Sequence, residues 1–330
     1  MAPRPDGARE ERNTVDGPFH RYAGNPILTA ADLPYPANSV FNAAAALVDG
    51  ETLLLLRVED RRGLSHLTVA RSKDGRGDWR VDPAPSMPAD PIGHPEELWG
   101  IEDPRITWVE DLGLYVIAYT AYSAGGPLVS LATTRDFATF TRLGPVTHPE
   151  NKDAAVFSVR FDGRYAMVHR PSATPYIGGA HIWLSFSPDL LHWGDHQILI
   201  PCRRGGWWDA NKIGLSPPPL LTDEGWLLMY HGVRQTIAGG IYRLGLALLD
   251  AKDPRRVLRR ADEWVFGPEE TYERQGDVAD VVFPCGWVAE GDELRLYYGA
   301  ADSSMALATA RVSEVLEWLR RHSPPDPARG

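Results

Sequence analysis

Two sets of charged side chains recur near the ends of short apolar segments of this chain and could carry out chemistry together. The cations are Arg57, Lys152, Arg170, Lys212 and His231. The carboxylates are Asp60, Asp103, Asp277, Asp280 and Asp302. Grouped cations bind an anion such as phosphate through charge-assisted hydrogen bonds. Carboxylates close to aromatic rings, here Trp207, Trp208 and Tyr242, suit the hydroxyl groups and the faces of a sugar. These residue types predict a reaction between a sugar and phosphate.

The segments that carry these residues repeat five times. In each copy a turn rich in Asp, Glu and Gly precedes an apolar strand with a polar or aromatic end, which is a hairpin signal. The copies are LVDGETLLLLRV (47–58), WVEDLGLYVIAYT (108–120), VRFDGRYAMVHRP (159–171), LTDEGWLLMYHGV (221–233) and VAEGDELRLYYGA (288–300). An apolar run precedes each copy, at 41–48, 104–109, 154–159, 213–221 and 281–288. Another run follows each copy, at 65–74, 127–136, 180–189, 242–251 and 304–313.

The units are spaced about 50 to 70 residues apart, and four-stranded antiparallel units at this period are typical of propeller blades. We therefore predict an all-β fold, a five-bladed β-propeller over residues 18–323, which ends in a short helix at 312–322. A β-sandwich or two small β domains is the alternative. In a propeller the first strand of each blade lines the central channel, so residues distant in sequence converge there. Some signals are weaker: Asp49, Asp162 and Asp223 fit ordinary turn residues, and His231 alone fits a structural histidine.

Composition excludes several other classes of function. The net charge of −10 does not suit nucleic acid, and no run of 18 apolar residues could span a membrane. Residues 1–17 lack the apolar core of a secretory signal and predict a disordered leader on a cytoplasmic protein, with 324–330 as a tail. Cys202 and Cys285 form no CxxC pair and are expected to be buried free thiols. No ligand set for a metal is evident.

Eight segments resemble glycoside hydrolase family 130, the β-mannoside phosphorylases and mannosidases. They are GIEDPRI (100–106), NKDAAVF (151–157), HRP (169–171), WWDANKIGLSPPPLL (207–221), YHGV (230–233), YRLGLALLD (242–250), DVVFPCG (280–286) and YYGAAD (297–302). The resemblance extends from about residue 25 to about residue 316. One departure is Ser158-Val159, where Pro-Glu or a similar pair is expected.

The resemblance implies a five-bladed propeller and an inverting reaction in which Asp103 is the general acid. The proton passes through the 3-hydroxyl of the mannosyl unit to the glycosidic oxygen, while inorganic phosphate attacks the anomeric carbon and yields α-mannose 1-phosphate. Ordinary inverting hydrolases need a second carboxylate to activate water. Phosphate is already a nucleophile, so it needs positioning and charge neutralisation instead.

Matching the family's motifs residue by residue gives two groups of binding positions. Those for phosphate are Lys152, Arg170, Lys212, His231 and Tyr242. Those for the mannosyl unit are Asn42, Arg57, Asp60, Asp103 and Asp302, to which the position of the fifth repeat adds Asp277 and Asp280. Phosphate is a co-substrate, and no cofactor is expected. A homo-oligomer is possible, because related enzymes often assemble.

Two other functions remain open at this point. The first is a hydrolase on the same fold, a β-mannosidase or another five-bladed glycosidase, which has no need for the grouped cations. The second is a sugar-binding propeller without catalysis. Whether the mannoside linkage is β-1,2 or β-1,4 is also open, because the entry loops that choose the acceptor sugar have no readable pattern.

Overall fold

Strands dominate the computed structural model, which describes residues 17–172, 179–237 and 239–324. They form five antiparallel sheets, so the prediction of a five-bladed propeller is confirmed. The predicted leader and tail fall almost entirely outside the described residues. No helix in the described part of the chain has the length and apolar character needed to cross a membrane.

Each of the first three blades has four strands that follow one another in the sequence. The strands are β2 (Ser39–Val48), β3 (Glu51–Glu59), β4 (Ser65–Ser72) and β5 (Arg80–Val81) in blade 1; β6 (Ile101–Val109), β7 (Leu114–Ser123), β8 (Gly126–Thr134) and β9 (Thr141–Pro145) in blade 2; and β10 (Asn151–Val156), β11 (Tyr165–Pro171), β12 (Ile182–Ser187) and β13 (Gly194–Ile200) in blade 3. Short 3-10 turns lie at Ala30–Asp32 and Pro95–Glu97.

The last two blades depart from this simple order. Their strands are β14 (Lys212–Leu215), β15 (Leu220–Thr222), β16 (Gly225–Thr236), β17 (Gly239–Leu249) and β18 (Val257–Arg260) in blade 4; and β19 (Val282–Glu290), β20 (Glu293–Ala300), β21 (Ser304–Arg311) and β1 (His20–Arg21) in blade 5. The apolar run predicted at 213–221 is interrupted between β14 and β15, because prolines at 217–219 cannot donate to a sheet. The run predicted at 154–159 ends at Val156.

The ring is closed by the N-terminal strand β1, which pairs with β21 at the outer edge of blade 5. Sequence analysis did not identify this strand, because two residues carry no periodic pattern. Arg21 secures it: its Nε and Nη2 donate to the two carboxylate oxygens of Glu273 at 2.8 and 2.9 Å. Glu273 is fully buried and belongs to α1 (Thr271–Arg274). The first and last parts of the chain are therefore joined by both backbone and side-chain contacts.

Most of the apolar core lies between neighbouring blades, where five clusters fill the wedges between adjacent sheets. A small sixth cluster consists of Val281, Phe283 and Cys285 at the start of blade 5. The predicted helix is confirmed as α2 (Val312–His322), and its apolar face packs into the wedge between blades 4 and 5. Cys202 and Cys285 are buried and free. Since burial of the apolar faces is completed between the blades, the channel can hold polar side chains.

Candidate active site

The first strands of four blades carry a bulge at the same level of the channel. The pairing register shifts between Phe41 and Ala44, Glu102 and Arg105, Lys152 and Ala155, and Pro284 and Gly286. In the first three bulges the residues Asn42, Asp103 and Asp153 have φ of 50°, 49° and 54°. Asn and Asp tolerate this left-handed conformation better than other residues with a side chain. A bulge changes the direction in which a side chain points. The three bulges therefore bring one polar side chain from each of three strands to the channel.

Residues of the first three bulges line a cavity of about 1160 Å³. The predicted residues that line it are Asn42, Arg57, Asp103, Lys152, Arg170, Lys212, His231, Tyr242 and Asp302. They come from all five blades, so the convergence expected of equivalent positions is found for these nine residues. Their roles in binding and catalysis stay predictions.

Asp103 lines the cavity and is 7% exposed. Its Oδ1 accepts hydrogen bonds from Asn42 Nδ2 and from Arg57 Nη1, both at 2.9 Å. Among the described residues, Oδ2 has no hydrogen-bond partner. One carboxylate oxygen is therefore held by the protein, and the other is available to a ligand, as a proton donor requires.

Burial and the neighbouring cations have opposite effects on the pKa of Asp103. Burial by itself would raise the pKa of Asp103, but Arg57, Arg105 and Lys152 outweigh it and lower that pKa below its usual value. For Asp302, burial and then the Asp103 carboxylate raise the pKa to about 6. The two carboxyl groups thus differ in proton affinity, with the negative charge held on Asp103 and the proton on Asp302 under mildly acidic conditions.

One part of the cavity is rich in cations. Lys212 Nζ donates to the hydroxyl group of Tyr242 at 3.1 Å. Lys152 Nζ lies 3.4 Å from Glu102 Oε2, and that same carboxylate lies 3.2 Å from Arg57 Nη2 through its other oxygen. Lys152 and Lys212 are each partly exposed to the cavity. These side chains offer N–H and O–H donors to an anion.

His231 is held differently from the other predicted phosphate ligands. The ring is 1% exposed, with Nε2 3.4 Å from Asp153 Oδ2 and Nδ1 3.4 Å from Ser216 Oγ. Its face packs on Phe283 at 4.6 Å between ring centroids. Burial is the largest influence on this group and lowers the pKa of His231, although Asp153 opposes it. In this arrangement both ring nitrogens lie near protein groups, and the ring lines the cavity.

Three of the predicted substrate-binding residues do not line this cavity. Asp60 accepts backbone N–H bonds from Arg62 and Leu64 at 2.7 and 3.1 Å, which makes it a turn residue. Asp277 and Asp280 are exposed and line a neighbouring groove of about 1570 Å³. This groove joins the cavity at Lys212 and Tyr242. The expected convergence of these three carboxylates with Asp103 is therefore not found.

Sequence analysis gave no role to three charged residues that organise the site, although it identified the motifs that contain them. Glu102 and Asp153 are adjacent to predicted residues in the same motifs. Arg105 is 1% exposed and crosses the channel. Its Nη2 donates to the carbonyl oxygen of Leu215 in β14, and its Nε donates to that of Ser216, which follows β14, both at 2.9 Å. Its Nη1 donates to the carbonyl oxygen of Asp103. Arg105 thus links the strand that carries Asp103 to the opposite side of the ring. The signal that could have found all three is the charge density of the segments GIEDPR and NKD.

Comparison with known proteins identifies similar sequences and a similar fold. Residues 19–321 match the sequence profile of glycoside hydrolase family 130, described as β-1,4-mannooligosaccharide phosphorylase. A β-1,2-mannobiose phosphorylase of Listeria innocua is 34% identical over 91% of this chain and 98% of its own length. A β-1,4-mannooligosaccharide phosphorylase of Ruminococcus albus is 33% identical over 92% and 91%. The solved structure of the Listeria innocua enzyme with β-1,2-mannobiose has a TM-score of 0.84 and 33% identity, and covers 92% of this chain and 99% of that one.

Proposed function

The chain belongs to glycoside hydrolase family 130, and we propose that it is an inverting β-mannoside phosphorylase, which cleaves a β-mannoside with inorganic phosphate and releases α-mannose 1-phosphate. The observation that carries this proposal is the meeting of Asp103 with the cations Lys152, Arg170 and Lys212 in one cavity. A hydrolase has no use for such an anion site, because its nucleophile is water.

In the proposed reaction Asp103 supplies the proton through its free Oδ2, by way of the mannosyl 3-hydroxyl, to the glycosidic oxygen. Phosphate, held by the cationic part of the cavity, attacks the anomeric carbon from the opposite face as the bond to the leaving sugar breaks. Lys152 lowers the pKa of Asp103 in the empty cavity. A phosphate anion beside Lys152 offsets that positive charge and raises the pKa of Asp103. Binding of phosphate therefore favours the protonated form that the acid needs.

The carboxylates in the cationic part of the cavity support phosphate as the nucleophile. Glu102 is paired with Arg57 and Lys152, and Asp153 with Arg170. Because both are already ion-paired, neither is suited to act as the base that activates water. At these two residues the ion pairs therefore favour phosphate over water as the nucleophile.

The test is release of mannose 1-phosphate from β-1,2- and β-1,4-mannobiose, with and without inorganic phosphate. We expect product only with phosphate, and the preferred substrate identifies the linkage. In Asp103→Asn we expect turnover to fall by roughly 10²- to 10⁴-fold, because general acid catalysis is removed. A matched control is Asp162→Asn, since Asp162 is exposed, has the same φ of 49° and lies in a turn of blade 3. Release of free mannose without phosphate, or full activity of Asp103→Asn, contradicts the proposal.

A further inference from the structure

Asp153 is a buried carboxylate among cations in the part of the cavity where phosphate is proposed to bind. It lies in the bulge of β10 and is 2% exposed. Its Oδ2 accepts a hydrogen bond from Arg170 Nε at 2.7 Å and lies 3.4 Å from His231 Nε2. Its Oδ1 lies 3.6 Å from Arg105 Nη2. One anion thus contacts three cationic or ionisable side chains that come from blades 2, 3 and 4.

The contact with Arg170 determines which edge of its guanidinium group faces the cavity. Asp153 engages Nε, and Nη1 is 3.3 Å from Ser172 Oγ, which also lines the cavity. A planar guanidinium group binds phosphate best when two of its N–H groups point at the anion together. Because Nε is occupied by Asp153, the edge formed by the two Nη atoms is directed away from Asp153.

The neighbouring first strand is built to leave room for this arrangement. Gly214 of β14 lies beside Asp153, and a Cβ atom added there would be 2.2 Å from Asp153 Oδ2 and 2.6 Å from His231 Cε1. Gly214 is not in the left-handed region, so turn geometry does not require a glycine here. The requirement is space: any side chain would separate Asp153 from His231. This packing observation is independent of the charges.

We propose that Asp153 is a positioning residue for phosphate, which acts by holding the Arg170 guanidinium group and the His231 ring against the wall of the cavity. This proposal rests on the proposed phosphorylase function. Asp153 is not itself a ligand of phosphate, because two anions repel each other. Its role is to restrain a long side chain before the substrate arrives, so that less conformational freedom is lost on binding.

Asp153 stays charged over the range in which an assay is run. Burial alone would raise its pKa, but Arg170, His231 and Arg105 outweigh burial and hold the pKa of Asp153 well below its usual range. Asp153→Asn therefore removes a charge that is present in the native protein. It keeps the size of the side chain and suits the left-handed backbone, at φ 54°.

The test measures KM for phosphate and for the mannoside separately in Asp153→Asn. Loss of one charge-assisted hydrogen bond predicts a rise of about 10- to 100-fold in KM for phosphate, with KM for the mannoside and kcat at saturating phosphate within about 3-fold. In an Arg170→Lys background, which lacks Nε, Asp153→Asn should add little further effect. A purely structural role predicts parallel losses for both substrates and additive effects in the double variant, and either result overturns the proposal.

Gly214→Ala and the phosphate dependence of the wild-type protein provide two further tests. If Asp153→Asn does not fold, as judged by circular dichroism, Gly214→Ala replaces it and should raise KM for phosphate selectively; an unchanged KM there overturns the positioning role. Wild-type protein that releases mannose without phosphate overturns the phosphorylase function, and the positioning role with it. Phosphate-dependent wild-type protein with an unchanged phosphate KM in Asp153→Asn overturns the positioning role alone.

Discussion

Replacing Asp302 by Asn should make the protein more stable at neutral pH while it weakens catalysis. Asp302 is largely buried near Asp103, and its pKa is raised to about 6, first by burial and then by the Asp103 carboxylate. The fold therefore favours the neutral form. Asn resembles that neutral form, cannot ionise and suits the left-handed backbone at this position, where φ is 49°.

The size of the effect follows from proton linkage. A folded-state pKa of about 6 against 3.8 for the free side chain corresponds to about 3 kcal/mol at 1.36 kcal/mol for each pKa unit. Because folding raises this pKa, the wild-type protein has a stability contribution from protonated Asp302. This contribution is fully present below pH 3.8 and is lost as the pH rises through about 6. Relative to wild type, Asp302→Asn should gain about 1 kcal/mol at pH 4.5 and about 3 kcal/mol at pH 7.5.

The assay is thermal unfolding at a series of pH values. For 330 residues the entropy of unfolding is about 0.7 kcal/mol per kelvin, so Tm should rise by about 4 °C at pH 7.5 and by about 1.5 °C at pH 4.5. The exposed Asp162→Asn serves as the control and should shift Tm equally at both pH values. In the same preparation kcat/KM for the mannoside should fall, because a predicted sugar-binding carboxylate is gone. A Tm difference that is constant or decreases with pH refutes the reasoning.

Two more predictions concern the architecture that holds the site. Arg21→Ala leaves the buried Glu273 without its ion-pair partner and should destabilise the protein by about 3–5 kcal/mol, measured by chemical denaturation; a loss below about 1 kcal/mol would show that β1 does not close the ring energetically. Gly286→Ala should destabilise the protein by about 1–3 kcal/mol or more, because the added Cβ would lie 2.2 Å from Ala45 N at the contact between blades 5 and 1. The control is Gly77→Ala, where the added Cβ meets nothing within 4 Å. This variant should be nearly neutral in the same experiment.

Local patterns were enough to predict the blades. Asp49-Gly50 and Asp162-Gly163 have the positive φ values of hairpin turns, and the apolar runs on either side of them became paired strands. Since a hairpin brings neighbours in sequence together, its signal is contained within about a dozen residues. The same reasoning placed Asp103 and Lys152 near the axis, because equivalent strands of a propeller occupy equivalent positions.

Contacts between distant segments could not be obtained in this way. The strand β1 pairs with residues almost 290 positions later in the chain, and Arg105 donates to a carbonyl group 110 positions away. Asp60, which equivalence placed in the channel, is instead held by its own turn through Arg62 and Leu64. A local hydrogen bond that a turn offers can hold a side chain away from a shared site.

By itself, the sequence determined the five repeated hairpins, the helix after the last blade and the family whose charged motifs recur in each blade, because all three are encoded in short segments. Only the tertiary structure decided how those motifs meet. The bulges at Asn42, Asp103 and Asp153 turn three side chains toward one cavity, and Asp153 finds its partners in Arg170 and His231. The physical reason is that backbone register and the pairing of buried charges depend on which strands lie side by side, and closure of the ring determines that.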